Sequence, residues 1–126
     1  MTTNRDSSAL NQPVICALDA IPDGGSKSAL LILMGVERDI FLVRRGEHVF
    51  AYVNACPHMG VTLNFQPDQF MSFDNYYIQC AFHGAQFRVH DGYCVYGPCQ
   101  GRSLQRIEVE VVNGLVSVGR SDPRCA

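Results

Sequence analysis

The sequence predicts an all-β domain of stacked antiparallel sheets, and three observations carry that prediction. The apolar runs are short and rich in Val, Ile, Phe and Tyr; Gly, Asn, Asp and Pro punctuate them closely; and no long helical period interrupts them. About eight to ten short strands without helical crossovers do not build a parallel α/β sheet, which leaves paired sheets or a small barrel. A chain of 126 residues suits one domain, and 47% hydrophobic against 17% charged residues supplies a core.

The first expected strand is Val14 to Leu18, stopped by the turn residues Ile21, Pro22, Asp23, Gly24 and Gly25. Ala29 to Met34 is the second. Ile40 to Arg45 and His48 to Asn54 flank Gly46-Glu47 as the arms of a hairpin. Tyr76 to Gln79 and Gln86 to Val89 lie on either side of Cys80 to Gly84, and Asp91-Gly92 turns the chain into Tyr93 to Tyr96. Ile107, Val109 and Val111 alternate with Glu108 and Glu110, so one face of that strand points inward. Asn113-Gly114 then leads into Leu115 to Val118. Residues 1–12 read as a polar arm, 13–120 as a single domain and 121–126 as a tail.

Ten basic against twelve acidic residues give a net charge of −2, and Lys27 is the only lysine. Arg38, Arg44, Arg45, Arg102 and Arg106 are scattered and read as a solvated surface. Nucleic acid, whose phosphates demand clustered cations, is excluded as a partner. The longest apolar run, Ala29 to Gly35, falls well short of the roughly 20 residues of a spanning helix, so no membrane partner is expected. Met1 to Leu10 shows no secretory signal, which predicts a cytoplasmic location. Six cysteines in that setting point to metal or redox chemistry.

Two segments carry the chemistry, Cys56-Pro57-His58-Met59-Gly60 and Cys80-Ala81-Phe82-His83-Gly84. Each pairs a thiolate with an imidazole at a spacing that lets a tight loop converge both on a metal. A glycine in each lets the backbone bend around the site. Twenty-one residues separate His58 from Cys80, enough for an excursion that brings the loops side by side. Two Cys and two His suit a structural zinc ion, or a 2Fe-2S cluster with cysteines on one iron and histidines on the other. The spacing favours the cluster, since zinc modules usually show Cys-x-x-Cys pairs or a helical His pair.

Cys-x-His-x-Gly followed by Cys-x-x-His-Gly resembles the motif of the Rieske family, and the resemblance extends from about Val14 to Val118. Residues 86–92 (Gln-Phe-Arg-Val-His-Asp-Gly) are similar to the strand and turn after its second loop. Gly97-Pro98-Cys99, with Leu104 following, resembles its proline loop. The resemblance implies a Rieske-like fold with a cluster-binding subdomain, about residues 54–100, inserted between strands. It makes Cys56 and Cys80 ligands of a buried iron and His58 and His83 ligands of an outer, redox-active iron, with Met59 and Pro98 at an apolar rim. Respiratory Rieske proteins carry an extra cysteine pair in these loops, where this chain has Val61 and Phe82, and two hydroxyl donors where it has Ala85 and Phe87. Donors to sulfur stabilise the reduced cluster, so their loss predicts a low potential.

Cys94 and Cys99 flank the proline loop and read as buried, inert thiols, with a disulfide or redox role as the competing reading; Cys16 reads likewise as a buried thiol and Cys125 as an exposed one. His48 and His90 read as surface histidines, and Asp68, Asp74 and Asp91 as turn residues. At least half of Phe70, Phe73, Tyr76 and Tyr77 are expected in the core. The functional expectation is a one-electron carrier, not itself an enzyme, between a reductase and a terminal oxygenase. The alternatives are a small subunit of a nitrite-reductase-type complex and a structural zinc module.

Overall fold

Ile40, Phe41, Leu42 and Val43 are consecutive and all fully buried. Side chains alternate along a strand, so this run requires cover on both faces of its sheet. The computed structural model, which describes residues 14–33, 35–57, 62–64, 68–81 and 84–119, provides that cover. Among them lie ten strands: β1 (Val14–Ala17), β2 (Ser26–Leu33), β3 (Val36–Arg45), β4 (His48–Val53), β5 (Ile78–Gln79), β6 (Gln86–Phe87), β7 (Cys94–Tyr96), β8 (Arg106–Ile107), β9 (Val109–Val112) and β10 (Leu115–Val118). They form three sheets, ordered β2-β3-β4-β8, β1-β10-β9 and β5-β6-β7, with every pairing antiparallel. The predicted all-β class is what the chain adopts.

The four-stranded sheet stands in the middle. Ile40, Leu42, Ala51 and their sheet neighbour Ile107 turn to one side, where they bury against Val116 and Val118 of β10. Phe41, Val43 and Tyr52 turn to the other and meet Phe70, Ile78 and Phe87. Phe41 stacks on Phe70 with ring centroids 4.4 Å apart, a contact that adds about 0.5–1.5 kcal/mol to the area it buries. The segment between β4 and β8 thus leaves the central sheet, builds the β5-β6-β7 sheet on its face and returns to the strand it left, where Ala51 pairs with Ile107. An insertion between strands was the expected architecture.

Several element boundaries differ from expectation. β2 begins at Ser26 rather than Ala29, because Ser26, Lys27 and Ser28 pair with Val43, Leu42 and Phe41 and the ladder outweighs their polarity. β3 begins at Val36 rather than Ile40, since the β2-β3 hairpin pairs Leu33 with Val36. Leu18 leaves β1 for a 3-10 turn, Leu18–Ala20, closed by the Ile21 N–H donating to its carbonyl. Tyr76 and Tyr77 follow a tight turn, in which Asn75 N–H donates to Ser72 C=O, so β5 starts only at Ile78. Val89 turns out of β6 for the same local reason. The alternating run from Ile107 to Val111 is two strands on two sheets, β8 and β9. The chain changes sheets at Glu108, whose carbonyl accepts from Gly119 N–H. Met34, the arm 1–12 and the tail 121–126 lie outside the described residues, and among the described residues no helix is long and apolar enough to cross a membrane.

Candidate metal centre

The base of the first loop is set by Asn54, a buried amide just past β4. Its N–H donates to the Asp39 carbonyl at 2.8 Å, its Oδ1 accepts from Leu63 N–H at 2.8 Å, and its Nδ2 donates to Asn64 Oδ1. One side chain therefore pins both ends of the loop that Cys56 opens. Such a satisfied amide is costly to lose, because its partners would be left unpaired in a dry place. The second loop joins β5 to β6: Cys80 N–H donates to Ala85 C=O, and Gly84 N–H donates back to Cys80 C=O, with Gly84 at φ 68°. Ala81 N–H donates to Leu63 C=O at 2.7 Å, so the two loops do lie side by side.

Cys56 and Cys80 are 1% and 0% exposed and belong to one buried cluster with Ala85, Cys94 and Cys99. Neither is in a disulfide. His58 and His83, like Met59, Val61 and Phe82, lie outside the described residues. The described geometry thus brings together the two predicted sulfur ligands at the floor of two converging loops. Two buried thiols of this kind suit a thiolate-bound centre, zinc or the iron of a cluster alike.

A third loop closes on the other two. Gly97, at φ 103°, lies so near the second loop that a Cβ there would sit 2.8 Å from Ala85 Cα. Arg102 Nη1 donates to the Pro57 carbonyl at 3.0 Å, gripping the first loop one residue before His58. Pro98 is exposed at the turn. Ala85 and Phe87 are both fully buried, and neither carries a hydroxyl.

Reading the arginines as mere solvated surface misses their work here. Arg44 donates to the carbonyls of Leu18, Ile21 and Gly46, and Arg45 to those of Asn75 and Tyr76. Only their partners' positions in the fold reveal these roles. Tyr52 was also missed: its buried hydroxyl donates to Val89 C=O at 2.5 Å, and burial pushes its pKa up.

His48 and His90 are exposed, as expected. Asp68, Asp74 and Asp91 are turn residues held by hydrogen bonds, local ones for Asp74 and Asp91 and a long-range one for Asp68: Ser28 lowers the pKa of Asp68, the Ser72 hydroxyl that of Asp74, and Arg88 brings Asp91 down to about 2. Phe70 is buried and Tyr77 half-buried, whereas Phe73 and Tyr76 are exposed. Cys94 and Cys99 are buried as expected, but their sulfurs meet, at 2.8 Å. Burial pushes the Cys99 thiol up to about 12, with Cys94 and then Cys56 adding to the shift. Cys16 is only half-buried, an edge-strand position on β1 rather than a core one; burial still raises its pKa, against the pull of Lys27. Cys125 lies outside the described residues.

The family model described as the Rieske [2Fe-2S] domain matches residues 12–113. No curated protein matches the sequence. Among solved structures, the chain is similar to the ferredoxin of carbazole 1,9a-dioxygenase from Nocardioides aromaticivorans IC177. That match has 22% identity over 86% of this chain and 96% of that one, with a TM-score of 0.68. A chain in a complex of reduced oxygenase and oxidized ferredoxin in carbazole 1,9a-dioxygenase matches at 26% identity over 88% and 94%, with a TM-score of 0.67. The terminal oxygenase of carbazole 1,9a-dioxygenase from Novosphingobium sp. KA1 matches at 23% identity and TM-score 0.68, over 89% of this chain but 31% of that one. The choice between zinc and a cluster, which two buried thiols leave open, is decided by the family match. With that match spanning most of its length, the chain belongs to the Rieske [2Fe-2S] domain family, whose cofactor is one 2Fe-2S cluster.

Proposed function

We propose that this chain is a one-electron carrier that takes an electron from a reductase and delivers it to a terminal oxygenase. The observation that carries this reading is one of extent. The fold spans 96% and 94% of two chains from ferredoxin-containing dioxygenase systems, one of them a complex of ferredoxin with oxygenase, against 31% of an oxygenase chain. When bound, the cluster supplies a single site that gains and loses one electron.

The chain's own residues do the rest. Cys56 and Cys80, on the apolar floor, would hold one iron, and His58 and His83 would hold the other. Asn54 and Arg102 fix the first loop, so ligands do not have to reorganise as the charge changes. Pro98 offers exposed apolar surface on the third loop. Ala85 and Phe87 give no hydroxyl to the sulfurs, so the potential lies toward the low end of the roughly −150 to +300 mV Rieske range. The cytoplasm is the compartment this chemistry fits.

Three measurements test the reading together. Metal analysis is expected to find iron and acid-labile sulfide. Electron paramagnetic resonance of the reduced protein is expected to show mixed nitrogen and sulfur ligation, lost in His83→Ala. Voltammetry is expected to give a low midpoint; one well above zero overturns the low-potential assignment, and an unaltered chromophore in His83→Ala overturns the ligand set.

A further inference from the structure

β2 stands at an edge of the central sheet, and its eight residues pair with β3 in unbroken register. Among the described residues, the other edge strands, β1, β5, β7, β8 and β9, have only two to four residues, and β1 also carries a register shift. A long, regular edge is a template for another strand unless something covers it. Cover reaches only the first half of β2, where Ser28 N–H donates to Asp68 Oδ1 and the Ser26 hydroxyl to Asp68 C=O. That Ser28 N–H points away from β3, and outward backbone groups recur at every second residue, so those of Leu30 and Ile32 point outward as well. Among the described residues, nothing bonds to them there. Their side chains are 66% and 64% exposed, on the face that Ser28 shares with Phe41, while Leu31 between them is buried on the opposite face.

We propose that residues 29–33 pair antiparallel with the same stretch of a second copy of this chain, joining two central sheets into one. The open stretch is centred on Leu31, with Leu30 and Ile32 placed evenly on either side. With a two-fold axis at Leu31, Leu30 of one copy stands opposite Ile32 of the other, and each such pair exchanges two backbone hydrogen bonds. Every outward N–H and C=O of Leu30 and Ile32 is then satisfied, and their exposed side chains meet as apolar cross-strand pairs. Asp68 sets the register, because a second strand shifted toward Ser28 meets the carboxylate that already occupies that part of the edge.

Charge and area both fit a second copy. Residues 29–33 carry no charge, so no like charges are set opposite each other. The acids beside them, Asp39 across from Leu30 and Glu37 across from Ile32, end three interstrand spacings from those of the other copy. That is about 14 Å, beyond the screening length of about 8 Å at physiological salt. The pairing is isologous and uses up the β2 edge on both copies, so it stops at two. A standard interface engages about 20–30 residues on each side. A five-residue stretch falls well short of that, which makes the dimer weak and reversible. A continuous sheet keeps its faces, so both inserted β5-β6-β7 sheets lie on one side of the dimer.

The experiment uses the full, cluster-loaded chain with dithiothreitol present, so that disulfide-linked dimers do not form. Analytical ultracentrifugation is expected to show a monomer–dimer equilibrium with its midpoint between about 10 µM and 1 mM. Hydrogen exchange, read at residue resolution by mass spectrometry, is expected to slow at the Leu30 and Ile32 amides as the concentration rises through that range. Leu30→Lys and Ile32→Lys are each expected to weaken the dimer at least about tenfold, because an edge lysine opposes strand pairing. Both positions are exposed, so the visible spectrum is expected to stay unchanged. Val112→Lys, at a comparably exposed position on β9, is expected to leave the dimer intact. A monomer at every concentration overturns the proposal, as does a dimer that both lysine variants leave unaltered or that Val112→Lys dissociates equally. Leu30 and Ile32 amides that are equally protected in dilute and concentrated protein show that the chain covers its own edge, and overturn it too.

Discussion

The Tyr52 hydroxyl reaches 37 residues along the chain to the carbonyl of Val89, and it does so inside the core. Tyr52 belongs to the central sheet and Val89 to the turn after β6, so this bond fastens the inserted sheet to its support. Gly92 lies against the same ring: a Cβ there would be 2.7 Å from Tyr52 Cε1. Tyr52→Phe is expected to destabilise the fold by about 1–3 kcal/mol, since the Val89 carbonyl is left without its donor. Urea unfolding monitored by circular dichroism checks this.

The same residue gives an alkaline limit. Burial raises the Tyr52 pKa above its ordinary value, so the unfolded chain releases that proton first. The stability tied to the neutral phenol is complete below the ordinary tyrosine value of about 10 and is lost as pH rises beyond it. Urea midpoints measured from pH 8 to 11 are expected to fall more steeply in the native protein than in Tyr52→Phe.

Gly97 and Gly101 make a controlled pair. Both have positive φ, 103° and 94°, but only Gly97 has backbone within reach, Ala85 Cα at 2.8 Å from a built Cβ; nothing lies within 4 Å at Gly101. Gly101→Ala is expected to cost only the left-handed strain, on the order of 1 kcal/mol. Gly97→Ala adds a clash with the second ligand loop and is expected to cost at least about 2 kcal/mol more and to impair cluster retention. Thermal denaturation and the visible chromophore read the two effects.

Arg102→Gln removes the grip on the Pro57 carbonyl. Its expected signature is split: faster cluster loss to a chelator, by roughly fivefold for a bond to a charged donor of this exposure, with a change in unfolding free energy below about 1 kcal/mol. Equal cluster-loss rates in the two proteins show that the contact does not hold the loop.

Asp91 accepts from both Arg88 and the Tyr93 N–H, and Arg88 above all holds its carboxyl down to about 2. A lowered folded pKa stabilises above the ordinary carboxylate value and is lost as pH falls from about 4 through 2. Because the pair is partly exposed, the contribution is at most about 1 kcal/mol. Asp91→Asn is expected to flatten the acid limb of the stability curve by that amount.

Much of this was legible in residue order. Two Cys-His loops and the proline loop drew attention to segments whose cysteines, Cys56 and Cys80, the fold brings into one buried cluster, and the Gly46-Glu47 and Asn113-Gly114 hairpins form at their expected turns. What escaped has a common cause. The start of β2 at Ser26, the split at Glu108 and the grips of Arg44 and Arg102 depend on partners far away in sequence, and no local period encodes them. The four-residue buried run in β3 was visible as apolar but not as two-faced, because only the inserted sheet supplies its second cover. The contact between Cys94 and Cys99 needed the turn at Gly97 to fold back, which their five-residue spacing alone does not specify.

β4 and β8 are hydrogen-bonded neighbours, with Tyr52 facing Arg106. The entrance and exit of everything between them therefore stand one interstrand spacing apart, about 4.7–4.9 Å. Such a junction acts as a socket: a shorter or longer cassette can be spliced there without altering the register of the strands beneath. The scaffold and its redox head are thereby free to diverge at different rates, one answering to folding and the other to whichever protein it must meet.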